Sequence, residues 1–152
     1  MAKKPTTADA ELIIQLYDLR REAEMRKARN WWGGSFWPQS ADDVMKVLSN
    51  FAAPENAWFR QVLGYWDMAA SLVLRGALNE DLFFDNGSEM YFVLAKVNPL
   101  LKEVRAKMQN PDLLGRVEKL ATRTKEGRER LKKMEARVEG YRKAQASSAK
   151  AG

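Results

Sequence analysis

The sequence of 152 residues predicts an all-α fold, a compact bundle of four to five helices with a long, partly projecting C-terminal helix. Three observations predict it. Apolar residues recur at helical spacing in successive segments. Ser, Thr, Asn, Pro and Gly stand where those segments begin and end. Residues 112 to 143 contain no proline and carry an apolar heptad pattern. With 45% hydrophobic residues the chain has enough apolar mass for one core and needs no second domain.

The first helix is predicted from about Asp9 to Arg29, after a cap at Thr6 or Thr7. Leu12, Ile13, Leu16, Leu19 and Ala23 recur at helical spacing, and Arg26, Lys27 and Arg29 suit the negative end of its dipole. Gly33 and Gly34 are the expected stop. Ser40, with Asp43 three residues on, resembles a capping box and opens a short helix with Val44, Val47, Leu48 and Phe51 inward. Pro54 starts the next helix, Glu55 to Arg75, in which Trp58, Val62, Trp66, Ala69, Ala70 and Val73 form a stripe that Phe59 and Leu63 widen. Gly76 ends it.

Asn79 caps the short segment EDLFFD, Gly87 interrupts it, and Ser88 caps a longer helix through about Gln109. Pro99 lies inside that pattern and predicts a bend or break near Asn98. After Asn110 and Pro111, residues 112 to about 143 are predicted as one helix of roughly 45 Å, longer than a small domain covers. The expected organisation is a disordered N-terminus (1–7), a helical body (8–111), the long basic helix (112–143) and a flexible tail (144–152).

The net charge of +6 is unevenly placed. Residues 1–111 carry 14 basic and 14 acidic side chains, whereas residues 112–152 carry 12 and 6, so the whole excess sits on the C-terminal arm. Along that arm Leu113, Val117, Leu120, Thr124, Gly127, Leu131, Met134, Val138 and Tyr141 form a seam that weakens at Thr124 and Gly127. In a parallel homodimer the flanking pairs would be Arg123 with Arg128, Arg130 with Glu135, and Arg137 with Arg142. Two of those three repel, so the seam favours another helix of the same protein or a more acidic partner.

The sequence has no cysteine and no histidine. That removes disulfides, thiolate nucleophiles, imidazole ligands and imidazole bases, and it predicts a non-enzymatic protein in a reducing cytoplasm with no cofactor. The N-terminal residues MAKKPTTADAEL contain no apolar run, so neither a secretory signal nor a transmembrane segment is expected.

The stretch AASLVLRGALNEDLFFD (69–85), followed by MYFVLAKVNPLLKEVR (90–105), resembles an uncharacterised bacterial family of all-helical domains of unknown function. The resemblance covers about residues 55–121. It rests on the Arg75-Gly76 turn with Glu80, Asp81 and Leu82, and on Pro99 and Glu103 in the following aromatic helix. An N-terminal span carried by some relatives has no counterpart in these residues, and the resemblance implies no catalytic role.

Three features bear on function. Trp31, Trp32, Phe36 and Trp37, in RNWWGGSFWPQS, read first as rings folded back to plug the core and second as an exposed partner or nucleotide-stacking site. The acids Glu80, Asp81, Asp85 and Glu89 read as helix-start residues, with a hard-cation site as the alternative. On the arm, the seam residues Val117, Leu120, Leu131, Met134, Val138 and Tyr141 predict a helix-mediated interaction or assembly module. The alternative is an accessory binder of nucleic acid or another polyanion through Arg123, Arg128, Arg130, Lys132, Lys133 and Arg137. A protein partner or a homo-oligomer is thus the leading expectation, and no small-molecule substrate is indicated.

Overall fold

The computed structural model describes residues 3–152 and places eight helices among them: α1 (Thr7–Arg20), α2 (Ala23–Gly34), α3 (Ala41–Ser49), α4 (Pro54–Leu74), α5 (Glu80–Asn86), α6 (Ser88–Met108), α7 (Gly115–Thr122) and α8 (Lys125–Lys150). The all-α prediction holds, but the bundle of four to five helices with its long C-terminal helix becomes eight helices among the described residues, because the first and the last predicted helices are each divided by a cap. Thr6 closes a capping box with Asp9, and the Asp9 carboxylate also accepts the Asn79 N–H at 2.8 Å, tying the start of α1 to the start of α5. Residues 3–6, expected to be disordered, are held in this way, and Asn79 further donates to the Lys3 carbonyl. Residues 1–2 of that predicted segment lie outside the described residues.

The predicted Asp9–Arg29 helix breaks at Arg21 and Glu22, where the Glu22 carboxylate accepts the Glu24 and Met25 N–H groups. The break lets α1 lie against α5 while α2 packs on α4. Gly33 and Gly34 do not stop α2; it runs through both. Ser40 caps α3 as predicted, although the Asp43 carboxylate reaches back to the N–H of Gln39. Pro54 and Gly76 bound α4 as expected, Gly76 taking φ +75° where a side chain would be strained.

α4 and α6 form the centre. α2, α3 and α7 pack on α4, while α3 and α8 pack on α6. Trp66, Val62, Phe83, Leu94, Val117 and Leu120 are fully buried between them. Pro99 does not break α6, which remains helical through Asn98 and Pro99 to Met108. α8 is bonded to the turn that precedes the proline. Asn98 donates to the Glu135 carboxylate at 2.6 Å, and Arg142 donates to the Lys96 carbonyl at 2.8 Å. These bonds anchor α8 on the turn before Pro99, whose missing N–H would otherwise bond the Ala95 carbonyl.

The predicted 112–143 helix divides at Arg123 and Thr124, and Thr124 caps α8 by accepting the Gly127 N–H at 2.9 Å. The break coincides with the weak positions of the seam. Gly127 is required there, since a Cβ would stand 2.5 Å from the Ala121 carbonyl oxygen. α7 starts at Leu114, a buried residue with φ +57° and no side-chain cap of its own. Asp67 of α4 caps it instead, accepting the Arg116 and Val117 N–H groups at 3.0 and 3.2 Å. Past Arg142, α8 continues helical and exposed to Lys150, where a flexible tail was expected.

Candidate functional site

The apolar seam of the C-terminal arm turns inward. Val117, Leu120, Leu131 and Val138 are buried in the core of their own chain, and Met134 is half-buried beside α6. Tyr141 alone of the six predicted contact residues is exposed, its ring 6.2 Å from that of Trp37. The break at Thr124 allows this closure, because it lets α8 fold back along α6 and satisfy the stripe within one molecule. In this arrangement the buried seam is not free for a partner.

The aromatic knot closes over the same region. Trp32 and Phe36 are buried, Trp31 and Trp37 half-buried. Trp31 stacks on Phe36 at 4.6 Å, while Trp32 and Phe36 both pack against Phe59 of α4. The core-plug reading therefore describes where these rings lie.

Behind the knot is a group that the sequence reading did not single out. Lys96 of α6 is 0% exposed and has no carboxylate partner among the described residues. Its ammonium donates to the carbonyl of Trp32, in the last turn of α2, and lies 3.7 Å from the ring centroid of Trp37 and 5.3 Å from that of Phe92. The cation thus satisfies an orphan carbonyl at a helix C-terminus and faces two aromatic surfaces. Burial, with a smaller contribution from the Arg142 guanidinium, pushes its pKa down to about 7. The available sequence signal was position: Lys96 follows Phe92 by four residues and Val93 by three, on the inward face of α6.

In front of the knot, two clefts adjoin between α8 and the first turns of α6. The larger, about 450 Å³, is lined by Arg29, Asn30, Phe92, Met134, Arg137 and Tyr141 among others. The smaller, about 270 Å³, is lined by Ser88, Tyr91, Arg130, Lys133, Met134 and Arg137. Ser88, Met134 and Arg137 belong to both. Arg130, Lys133 and Arg137 are on one flank of α8 because their spacing of three and four returns them to the same side. Arg130 pairs with Glu126 at 2.8 Å, while Lys133 and Arg137 have no carboxylate partner among the described residues. Glu89 also faces the larger cleft, and two hydrogen bonds from Arg29, both 2.8 Å, with Arg20 at 3.7 Å, compensate its charge.

The other predicted cations lie away from the clefts. Arg123 pairs with Glu80, Arg128 donates to the Thr122 carbonyl at 2.8 Å, and Lys132 is exposed on the other side of α8. The acidic cluster is dispersed: Glu80 joins Arg123, Glu89 joins Arg29 and Arg20, and Asp81 and Asp85 face solvent. No group of three acidic side chains close enough to hold a metal ion occurs among the described residues. None of the described helices is long and apolar enough to cross a membrane.

The geometry defines an all-α domain with a basic last helix laid across its core and two clefts beneath that helix. Residues 5–124 match the family described as a domain of unknown function, DUF4760, and the chain belongs to this family. The match takes in the predicted 55–121 segment, spans α1 to α7, and ends on the residue that caps α8. Neither a curated protein nor a solved structure matches the chain.

Proposed function

We propose that the protein is a non-enzymatic helical binding module whose recognition surface is the basic flank of α8 and the clefts beside it, and that its partner is anionic. One observation carries this reading: α8 buries its apolar seam on α6 and so presents Arg130, Lys133 and Arg137 to solvent. Charge distribution supports it. Residues 5–124 carry 15 basic and 16 acidic side chains, whereas residues 125–152 carry 9 and 4, a net +5 on the last helix and its end. Such a field attracts polyanions irrespective of their sequence. Assembly through the seam would require α8 to leave α6, exposing Leu131 and Val138 and separating Arg142 from the Lys96 carbonyl.

The test is anisotropy of a labelled oligonucleotide, used as a generic polyanion, over a range of salt concentrations. Affinity should fall with salt, and replacing Arg130, Lys133 and Arg137 together by Gln should reduce the logarithmic slope by roughly 2. Lys132→Gln with Lys143→Gln, away from the clefts, should change it less. Equal sensitivity to both sets, or no binding at low salt, would refute the reading.

A further inference from the structure

Tyr91 lines the smaller cleft, and beneath that wall its hydroxyl is left unsatisfied by the fold. Tyr91 is 3% exposed, and its hydroxyl has no hydrogen-bond partner among the described residues. A buried hydroxyl without a partner is costly, and replacing it by hydrogen would ordinarily be neutral or stabilising. The Tyr91 side chain forms part of the wall of the cleft that Arg130, Lys133 and Arg137 also line, and the charges acting on its phenol are Arg130 and, opposing it, Glu126 and Glu80. Burial raises its pKa above the ordinary tyrosine value, so at neutral pH it keeps its proton and can donate. The start of α6 adds a second donor set. Its N-cap is Gly87, without a side-chain cap; the Met90 N–H bonds the Gly87 carbonyl, the Ser88 and Glu89 N–H groups receive no side-chain acceptor, and the dipole of this 21-residue helix favours an anion beside Ser88.

We infer that the two clefts together form a discrete site for a small phosphomonoester with a planar ring, the phosphate in the smaller cleft and the ring in the larger. This deepens the anionic-partner reading and rests on it. The phosphate accepts from Lys133 and Arg137, whose charges have no carboxylate partner, from the Ser88 end of α6, and from the Tyr91 hydroxyl, with Arg130 completing the cationic side. Phosphate supplies several acceptor oxygens, enough to engage this many donors at once. The larger cleft offers the half-buried Phe92, the exposed Tyr141 and Met134 to a flat apolar surface, with Asn30 at its rim for polar edges. Glu89 does not oppose an anion there, since Arg29 and Arg20 hold its carboxylate.

The experiment is calorimetric titration of the full chain with adenosine monophosphate, adenosine, ribose phosphate and inorganic phosphate at physiological ionic strength, alongside the oligonucleotide assay. The monophosphate should saturate one site and bind at least roughly tenfold more tightly than adenosine or inorganic phosphate, reflecting charge-assisted bonds and ring contact together. Tyr91→Phe should weaken it by about tenfold while leaving the unliganded melting temperature unchanged or higher. Arg137→Gln, at an exposed position that does not threaten folding, should weaken it similarly, and Lys132→Gln should have no effect. Inorganic phosphate binding as tightly as the nucleotide, or full affinity in both Tyr91→Phe and Arg137→Gln, would overturn the inference. Salt-dependent oligonucleotide binding without saturation by any monoester would overturn the discrete site but leave the basic-flank reading standing. Loss of both would overturn both.

Discussion

A buried lysine with no carboxylate beside it should make stability rise with pH, and Lys96→Met should abolish that rise. In the unfolded chain the amine titrates near the ordinary lysine value of 10.5, whereas in the folded protein burial brings it to about 7. Between these values the unfolded state binds the extra proton, so the free energy of unfolding increases as pH rises through the window. Each pH unit fully inside it contributes about 1.4 kcal/mol. From pH 7 to 9, with the folded amine half-protonated at the start, the gain is about 2 kcal/mol, or roughly 4–8 °C in melting temperature for a domain of this size. The Trp37 ring and the Trp32 carbonyl favour the ammonium and act against the effect, but burial is the larger influence. The chain suits the measurement, because without histidine or cysteine no other side chain has an ordinary pKa in that range. The assay is urea unfolding followed by tryptophan fluorescence at pH 6, 7, 8 and 9, on the native protein and on Lys96→Met. The slope carries the test, since methionine also leaves the Trp32 carbonyl without its donor and shifts the curve as a whole. A flat native profile, or a slope that survives in Lys96→Met, would refute the reasoning.

Three further outcomes are expected. Trp32→Ala should cost about 3–5 kcal/mol in chemical unfolding, because a ring only 2% exposed is removed from between Phe36 and Phe59; a loss below 1 kcal/mol would contradict the core-plug role. Gly127→Ala should cost roughly 1–3 kcal/mol and loosen α8, since its methyl group would meet the Ala121 carbonyl, and hydrogen exchange of α8 amides should accelerate. Asp67→Ala should cost about 1 kcal/mol by leaving the first N–H groups of α7 without their acceptor, with Asp67→Asn recovering part of it, both measurable by thermal unfolding.

The amino-acid order by itself determined that the chain is helical and where many helices begin. Thr6, Ser40, Pro54, Asn79 and Gly76 act locally, through hydrogen bonds or dihedral limits within a few residues, so neighbours suffice to read them. The split at Glu22 was harder to see, because a glutamate cap is unusual and the apolar spacing runs past it. The continuity of α6 through Pro99 was also hidden, since local preference favours a break before a proline, whereas the packing of α8 on that stretch, through Asn98 and the Lys96 carbonyl, joins residues distant in sequence. The seam of the last helix was legible as a stripe needing cover, but periodicity carries no information about which surface covers it; the turn at Thr124 assigned that surface to α6. The same packing decided the candidate site. Arg130, Lys133 and Arg137 were readable as a basic flank of one helix, whereas Tyr91, Ser88, Arg29 and Lys96 acquired their meaning only when helices far apart in sequence met. A lysine is ordinarily a solvated charge, and tertiary burial alone gives this one a depressed pKa and a carbonyl to bind.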